Sequence, residues 1–375
     1  MKQYLSSAAI GAVLMAATLP AAAENITASV WFPDSHPLTG DGYLELAKTL
    51  EETTGGDLTL QVYTGTSLLP PAAHLSGLQD GIVDMTYHAG TYTPSDLPED
   101  NVLASLGIGL DKSMVAMMAV ADFYMNDAGM KAMFDRLGIV FLGSYATPQY
   151  MMICNTPVTT LEEIKGKKIR TPSPVHAAWV ESVGGTPVSV PSSEMFSGLE
   201  KGQFDCVFNA ANDLKSRSLW DVAKYTTLLE VGSYFAGWEY AISADRWADL
   251  SEEHRRTLLD AIPANLVNIA QKYQESSDVA LAEAVDHGVT VSEPSADLQA
   301  NLDAFVATGV EPMAFETATN LGAPDAEGLV SRFKEAYAKW DELLDGVSRD
   351  DAAALSKILA ENLYDKVDAA SYGVN

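Results

Sequence analysis

The chain has 375 residues, 47% of them hydrophobic, with 51 acidic against 23 basic side chains and a formal charge of −28. That length exceeds one small core and suits two lobes, and the composition is that of a globular chain rather than a disordered one. The strong acidity argues against nucleic acid and anionic lipid surfaces as partners, since their phosphates repel it.

Taken in order, Met1-Lys2, the apolar run Ala8–Leu19 and the small residues Ala21-Ala22-Ala23 read as a secretory signal over 1–23, cleaved near Ala23. A periplasmic or secreted product follows, and no later stretch is apolar enough for stable membrane insertion. Ile26–Phe32 is a first strand, Gly42–Glu52 a helix, Leu58–Tyr63 a strand, Ala73–Asp80 a short helix and Ile82–Tyr87 a third strand. This alternation predicts an α/β fold with a parallel sheet and covering helices. Met114–Met133 reads as one Met-rich helix that fills a core. After the strand Ile139–Leu142, extended chain over Tyr145–Val158 leads into a second lobe. Thr160-x-x-Glu163 is a capping box that starts a helix at Leu161, and Gly166 closes it. Lys168–Arg170 is a strand that Pro172 prevents from continuing.

A helix over Val175–Val183, a strand over Pro187–Val190, a helix over Ser193–Lys201 and a strand over Gln203–Phe208 follow. From Ser251 the chain turns helical to about His287, with a kink or break expected at Pro263. Val289–Val291 is a short strand, and Ala296–Ala307, Ala326–Leu343 and Ala352–Tyr364 are helices.

An internal repeat locates a site. Leu75–Gly90 aligns without gaps on Phe196–Ala211, 121 residues later, sharing Ser-Gly-Leu, a glycine (Gly81, Gly202), an aspartate (Asp84, Asp205) and an aromatic (Tyr87, Phe208). Two lobes built alike would set His88 and Asn209 at the carboxyl ends of equivalent strands, where ligands of open α/β sheets bind. Arg170 also ends a strand, within a basic cluster of Lys165, Lys167 and Lys168 on an otherwise acidic chain. A guanidinium there is a candidate anion receptor, because its planar fork matches both oxygens of a carboxylate. Tyr150, Trp238, Trp31, Tyr92 and Ser192, near strand or loop ends, are further candidate ligand contacts.

No His-Glu-x-x-His, Gly-x-Ser-x-Gly or Cys-x-x-Cys pattern occurs, so no catalytic, metal or cofactor site is expected. An oxidising compartment permits a bridge between the two cysteines, Cys154 and Cys206, though sequence does not place their Cα atoms.

Two runs, Pro157–Pro172 with its Lys-Gly-Lys-Lys-Ile-Arg, and Gly202-Gln-Phe-Asp-Cys-Val-Phe-Asn209, resemble motifs of the DctP-type substrate-binding proteins of tripartite ATP-independent periplasmic (TRAP) transporters. The likeness runs from about Ile26 to His287 and includes Leu78–Met85. It implies a two-lobed periplasmic-binding-protein architecture with a ligand cleft between the lobes and a long helix spanning the hinge. Lobe 1 would comprise 24–147 with about 238–287, and lobe 2 148–237 with about 288–375 and the C-terminal helices. The resemblance places the family's carboxylate-binding arginine on Arg170 and its partner asparagine on Asn209. Where many members carry a second arginine or other polar group, this chain has Tyr150 or Gln149, which favours a monocarboxylate over a dicarboxylate. The implied role is capture of an organic acid by lobe closure and delivery to TRAP membrane subunits. A binder serving an ABC importer or a sensor has the same cleft physics and stands as the alternative, with a secreted enzyme behind it.

Overall fold

The computed structural model describes residues 23–374, so the leader expected over 1–23 lies, apart from Ala23, outside the described residues. Among these the strands are β1 (Glu24–Ser29), β2 (Leu58–Tyr63), β3 (Met85–Ala89), β4 (Ile139–Gly143), β5 (Tyr150–Cys154), β6 (Lys168–Arg170), β7 (Thr186–Val188), β8 (Cys206–Ala210), β9 (Tyr225–Thr227), β10 (Gly237–Ser243) and β11 (Thr290–Ser292). They form two sheets, ordered β2-β1-β3-β10-β4 and β11-β9-β5-β8-β6-β7. Read from its other edge, the second sheet runs β7-β6-β8-β5-β9, and its pairings match the first strand for strand. β1 is parallel to β2 and β3 as β6 is to β7 and β8. β10 runs antiparallel between β3 and β4 as β5 does between β8 and β9. The sequence repeat is therefore a repeat of topology.

Its shared residues have a common task. Asp84 Oδ2 accepts from Thr27 N at 2.8 Å, and Asp205 Oδ2 accepts from Lys168 N at 2.9 Å. Each carboxylate thus satisfies the first free N–H beside a neighbouring parallel strand, which would otherwise be left without a partner. Gly81 and Gly202 turn into those strands at φ +66° and +65°, a conformation that disfavours any side chain.

The chain crosses between lobes after β4 and returns before β10, and the two crossings are hydrogen-bonded to each other. Thr147 N donates to Tyr234 O, Tyr150 N to Gly232 O and Val231 N to Tyr150 O, at 2.8–2.9 Å. The helix Glu252–Ala284 spans both lobes over about 50 Å at 1.5 Å per residue. Its first half buries Leu258, Leu259, Ile262 and Leu266 against lobe 1, while Ala280 and Ala284 join the apolar cluster of lobe 2. Pro263 lies inside it without ending it, so of the kink or break expected there the break does not occur. No helix among the described residues is long and apolar enough to cross a membrane.

Two further expectations need correction. The Met-rich stretch is two helices, Ser113–Asn126 and Ala128–Leu137, because extended Asp127 caps the second by accepting from Gly129 N and Met130 N. The C-terminal segment does not sit with lobe 2. Only β11 joins that sheet, and the helix Ala296–Leu321 touches both lobes. Residues 326–374 pack on lobe 1, with Ala326–Leu343 against Ser113–Asn126 and Ala352–Asn362 against the long helix. The reason is visible in Met114–Met125, which is buried on every side. A helix that is apolar all round needs a second cover, and the C-terminal helices supply it.

Cys154 and Cys206 are directly opposed on β5 and β8, with Cα atoms 4.0 Å apart, and they are bridged. The bond closes a separation of 52 residues in the unfolded chain. Replacing both cysteines by Ala should lower stability by about 2–4 kcal/mol, read as a lower urea midpoint with a steeper slope, since the unbridged denatured chain exposes more surface. Equal midpoints for the two proteins would show that the bridge contributes nothing.

Candidate functional site

Along β6 Lys168 is exposed, while Ile169 and Arg170, on opposite faces of the strand, are both buried. Arg170 is 2% exposed, between β7 and β8. Its Nε donates to Val190 O at 3.1 Å, Nη1 to Phe208 O at 3.3 Å and Nη2 to Tyr92 Oη at 3.5 Å. All three acceptors are uncharged, and no ion pair among the described residues involves this arginine. A guanidinium carries five N–H donors, so two remain to be given. Taking a lone cation out of water is costly, and buried charges are ordinarily paired. The observation asks for an anion.

Arg170 faces a narrow cavity between the lobes, with only about 20 Å³ of usable space. Tyr150, Tyr92, Ser192 and Asn209 line it with Arg170, as the sequence anticipates. Tyr92 comes from lobe 1 and its hydroxyl accepts from Ser192 N at 2.7 Å in lobe 2. Having accepted twice, that hydroxyl keeps its own proton to donate. Tyr150 stacks parallel to Tyr234 with ring centroids 6.2 Å apart, and both phenols are held neutral by burial, which raises their pKa. Asn209 Nδ2 donates to Asp213 Oδ2 at 2.6 Å rather than into open space.

Three sequence candidates lie elsewhere. His88 and Trp238 are opposed across β3 and β10, with rings 4.9 Å apart, and neither lines the cavity. On β3 it is Tyr87 and Ala89 that face the cavity, so His88 points to the other side of the pleat. Its ring is kept neutral by burial, with pKa lowered to about 3, and its Nε2 meets Thr93 Oγ1 at 2.8 Å. The repeat correctly pairs His88 with Asn209 along the strand, but the lobes present opposite faces of those strands. Trp238 Nε1 donates to Thr86 Oγ1 at 3.3 Å within the core. Trp31 stands one layer behind, its ring 4.5 Å from Tyr87 and 5.6 Å from Tyr92.

The structure adds Asp213, Arg217, Phe32, Tyr234 and Tyr273 to the lining. Asn209 sits near the end of β8, and Arg217 follows Asp213 by four across the short helix Asn212–Ser216, the spacing of a helical ion pair. Arg217 Nε lies 3.2 Å from Asp213 Oδ2, and its guanidinium sits 4.6 Å over the Phe32 ring of the other lobe. His36 of lobe 1 approaches Asp213 Oδ1 to 3.6 Å and stays neutral, burial lowering its pKa to about 3. Larger hollows occur on the surface, such as one of about 450 Å³ beside Phe141 and Tyr372.

The chain is similar to known proteins in sequence and in fold. The model of the DctP family, bacterial extracellular solute-binding protein, family 7, matches residues 27–314. The ectoine-binding periplasmic protein TeaA of Halomonas elongata is 25% identical over 273 residues, 70% of this chain and 77% of that protein. The C4-dicarboxylate-binding periplasmic protein DctP of Rhodobacter capsulatus is 25% identical over 303 residues, 78% of this chain and 82% of that one. A marine metagenome TRAP solute binding protein specific for aromatic acid ligands, in complex with 3-hydroxybenzoate, shares the fold with a TM-score of 0.76 at 19% identity, covering 85% of this chain and 99% of that one.

Proposed function

We propose, for a chain that belongs to the DctP family of bacterial extracellular solute-binding proteins, that it captures a small organic acid as its singly charged anion in the periplasm. The carboxylate would sit on the two free N–H groups of Arg170, with Tyr92 donating from the opposite lobe. Delivery to TRAP membrane subunits would follow. One observation carries the reading: a guanidinium buried at the lobe interface whose partners are all neutral. The relatives bind acids of different bodies, from C4-dicarboxylate to aromatic acids, so the family alone does not choose among them. Here the walls do. Tyr150, Tyr234, Tyr92, Tyr87 and Phe32 are largely apolar, which suits a ligand whose body is aromatic or otherwise flat.

The space is too narrow for such a ligand to enter as the lobes stand, since pockets for small organic molecules run to roughly 300 Å³ or more of usable volume. Entry therefore requires the lobes to part about the paired crossings at 144–149 and 228–236. Closure over the ligand would bring Tyr92 and Phe32 of lobe 1 back towards Ser192 and Arg217 of lobe 2, less far than in the present structure, where they touch. Without an anion, closure buries Arg170 unpaired, so the ligand charge biases the equilibrium towards the closed form.

A thermal-shift screen of the purified protein against small organic acids tests this. A ligand at a hundred times its Kd should add about 2.7 kcal/mol of stability, seen as a rise in Tm for aromatic or hydroxylated monocarboxylates. A flat response across all acids would remove the proposal.

A further inference from the structure

We infer that Asp213 sets the charge selectivity of the cavity by masking a second ligand-facing arginine, Arg217. The inference rests on the carboxylate reading of Arg170 given above. The lining carries two guanidinium groups, Arg170 and Arg217, and one carboxylate, Asp213. No other acidic or basic side chain lines the cavity, and the phenols of Tyr87, Tyr150, Tyr234 and Tyr273 are held neutral by burial. His36, which touches Asp213 from lobe 1, is neutral as well. The cavity therefore presents one net positive charge and takes one negative charge from its ligand.

The masking is incomplete in a useful way. Asp213 is saturated: Oδ2 accepts from Asn209 and faces Arg217, while Oδ1 accepts from Ser216 Oγ at 2.7 Å and Asn212 Nδ2 at 3.1 Å. Arg217, by contrast, meets Asp213 only as a charge. Its Nε and Nη1 are buried without any hydrogen-bond partner, and its side chain is 10% exposed. Charge compensated but donors free, it fits a neutral acceptor on the ligand body, a hydroxyl or carbonyl oxygen, rather than a second carboxylate. A buried donor left unpaired is costly, so a ligand oxygen at that point adds affinity. The ligand class that results is a monocarboxylate bearing one further neutral oxygen.

The test is a calorimetric cycle with one matched pair of probes, 3-hydroxybenzoate and isophthalate, which differ by a hydroxyl against a second carboxylate. Wild type should prefer 3-hydroxybenzoate. Asp213→Asn, which leaves Arg217 without its partner charge, should move the affinity ratio towards isophthalate by at least about tenfold. Arg217→Gln leaves Asp213 in place, brings the net charge to zero and should weaken 3-hydroxybenzoate about tenfold. Combining the two returns the charge to one and should recover most of the loss in charge attraction, though not the Arg217 hydrogen bond. Because Arg217→Gln keeps every partner of Asp213 except one, it carries the test if Asp213→Asn does not fold. An unmoved ratio in Asp213→Asn, or full 3-hydroxybenzoate affinity in Arg217→Gln, overturns the inference and leaves Arg170 untouched. A wild-type protein that binds neither probe nor any other carboxylate overturns the underlying reading too.

Discussion

Replacing Arg170 by Ala should reduce affinity for the captured acid by two to four orders of magnitude, the scale of about 3–5 kcal/mol for removing one partner of a buried charge pair. Arg170→Lys should also lose most of the binding. Lysine keeps the charge but not the fork, and its single ammonium cannot replace bonds to Val190 O, Phe208 O and Tyr92 while also holding two carboxylate oxygens. The same variants should behave unusually in the absence of ligand. A buried cation with only neutral partners is a burden on the folded state, so a third variant, Arg170→Met, should melt no lower than wild type. Loss of binding with retained or increased stability is the signature of a residue kept for its ligand. Parallel loss of both would mark Arg170 as a structural residue, and near wild-type affinity in the Lys variant would dismiss the fork.

Ending the chain at Pro324 should abolish soluble folding, although residues 326–374 lie beyond the 27–314 span matched by the family model. Nine apolar or aromatic side chains of this segment are buried: Leu329, Val330, Phe333, Trp340, Leu344, Leu355, Leu359, Leu363 and Tyr364. At about 1.5–3 kcal/mol each, their loss matches or exceeds the roughly 5–15 kcal/mol by which a domain is stable. Polar ties would go as well. Trp340 Nε1 donates to Asp122 Oδ2 at 2.8 Å and Tyr364 Oη to Leu142 O at 2.9 Å. Arg255 and Arg256 of the long helix would lose the carbonyls of Ala369 and Val367. The methionines of Ser113–Asn126 would then face water. Expression yield and a melting curve decide this. A truncated protein that melts cooperatively within a few degrees of wild type would show the segment to be an ornament on a self-sufficient fold.

Much of the fold was legible because local signals and topology agreed. The repeat around Asp84 and Asp205 anticipated two equivalent sheets, and the capping box at Thr160 and Glu163 is present with both of its hydrogen bonds. β2 and β6 fall where their alternation and breakers put them. Periodicity could not reveal β9 and β10, which are short or buried on both faces and so lack a polar side. Nor could it decide between a kink and a break at Pro263, where the long helix continues without the proline N–H. In the site, Arg170 was readable from chemistry, as a strand-ending guanidinium on an acidic chain. His88 and Trp238 were not excludable, because a strand position does not tell which pleat face meets the cleft. Arg217 and Asp213 went unnoticed as a pair since each looked like an ordinary surface charge until the fold buried both.

The central claim is that the cavity recognises the negative charge of a carboxylate through Arg170. Calorimetric titration of the wild-type protein with an organic acid found by screening, and with its primary amide, tests that claim most directly, because the two differ in charge and scarcely in shape. The acid should bind and the amide should bind at least about a hundredfold more weakly, as expected when a buried guanidinium is left without its anion. Equal affinity for acid and amide would contradict the account.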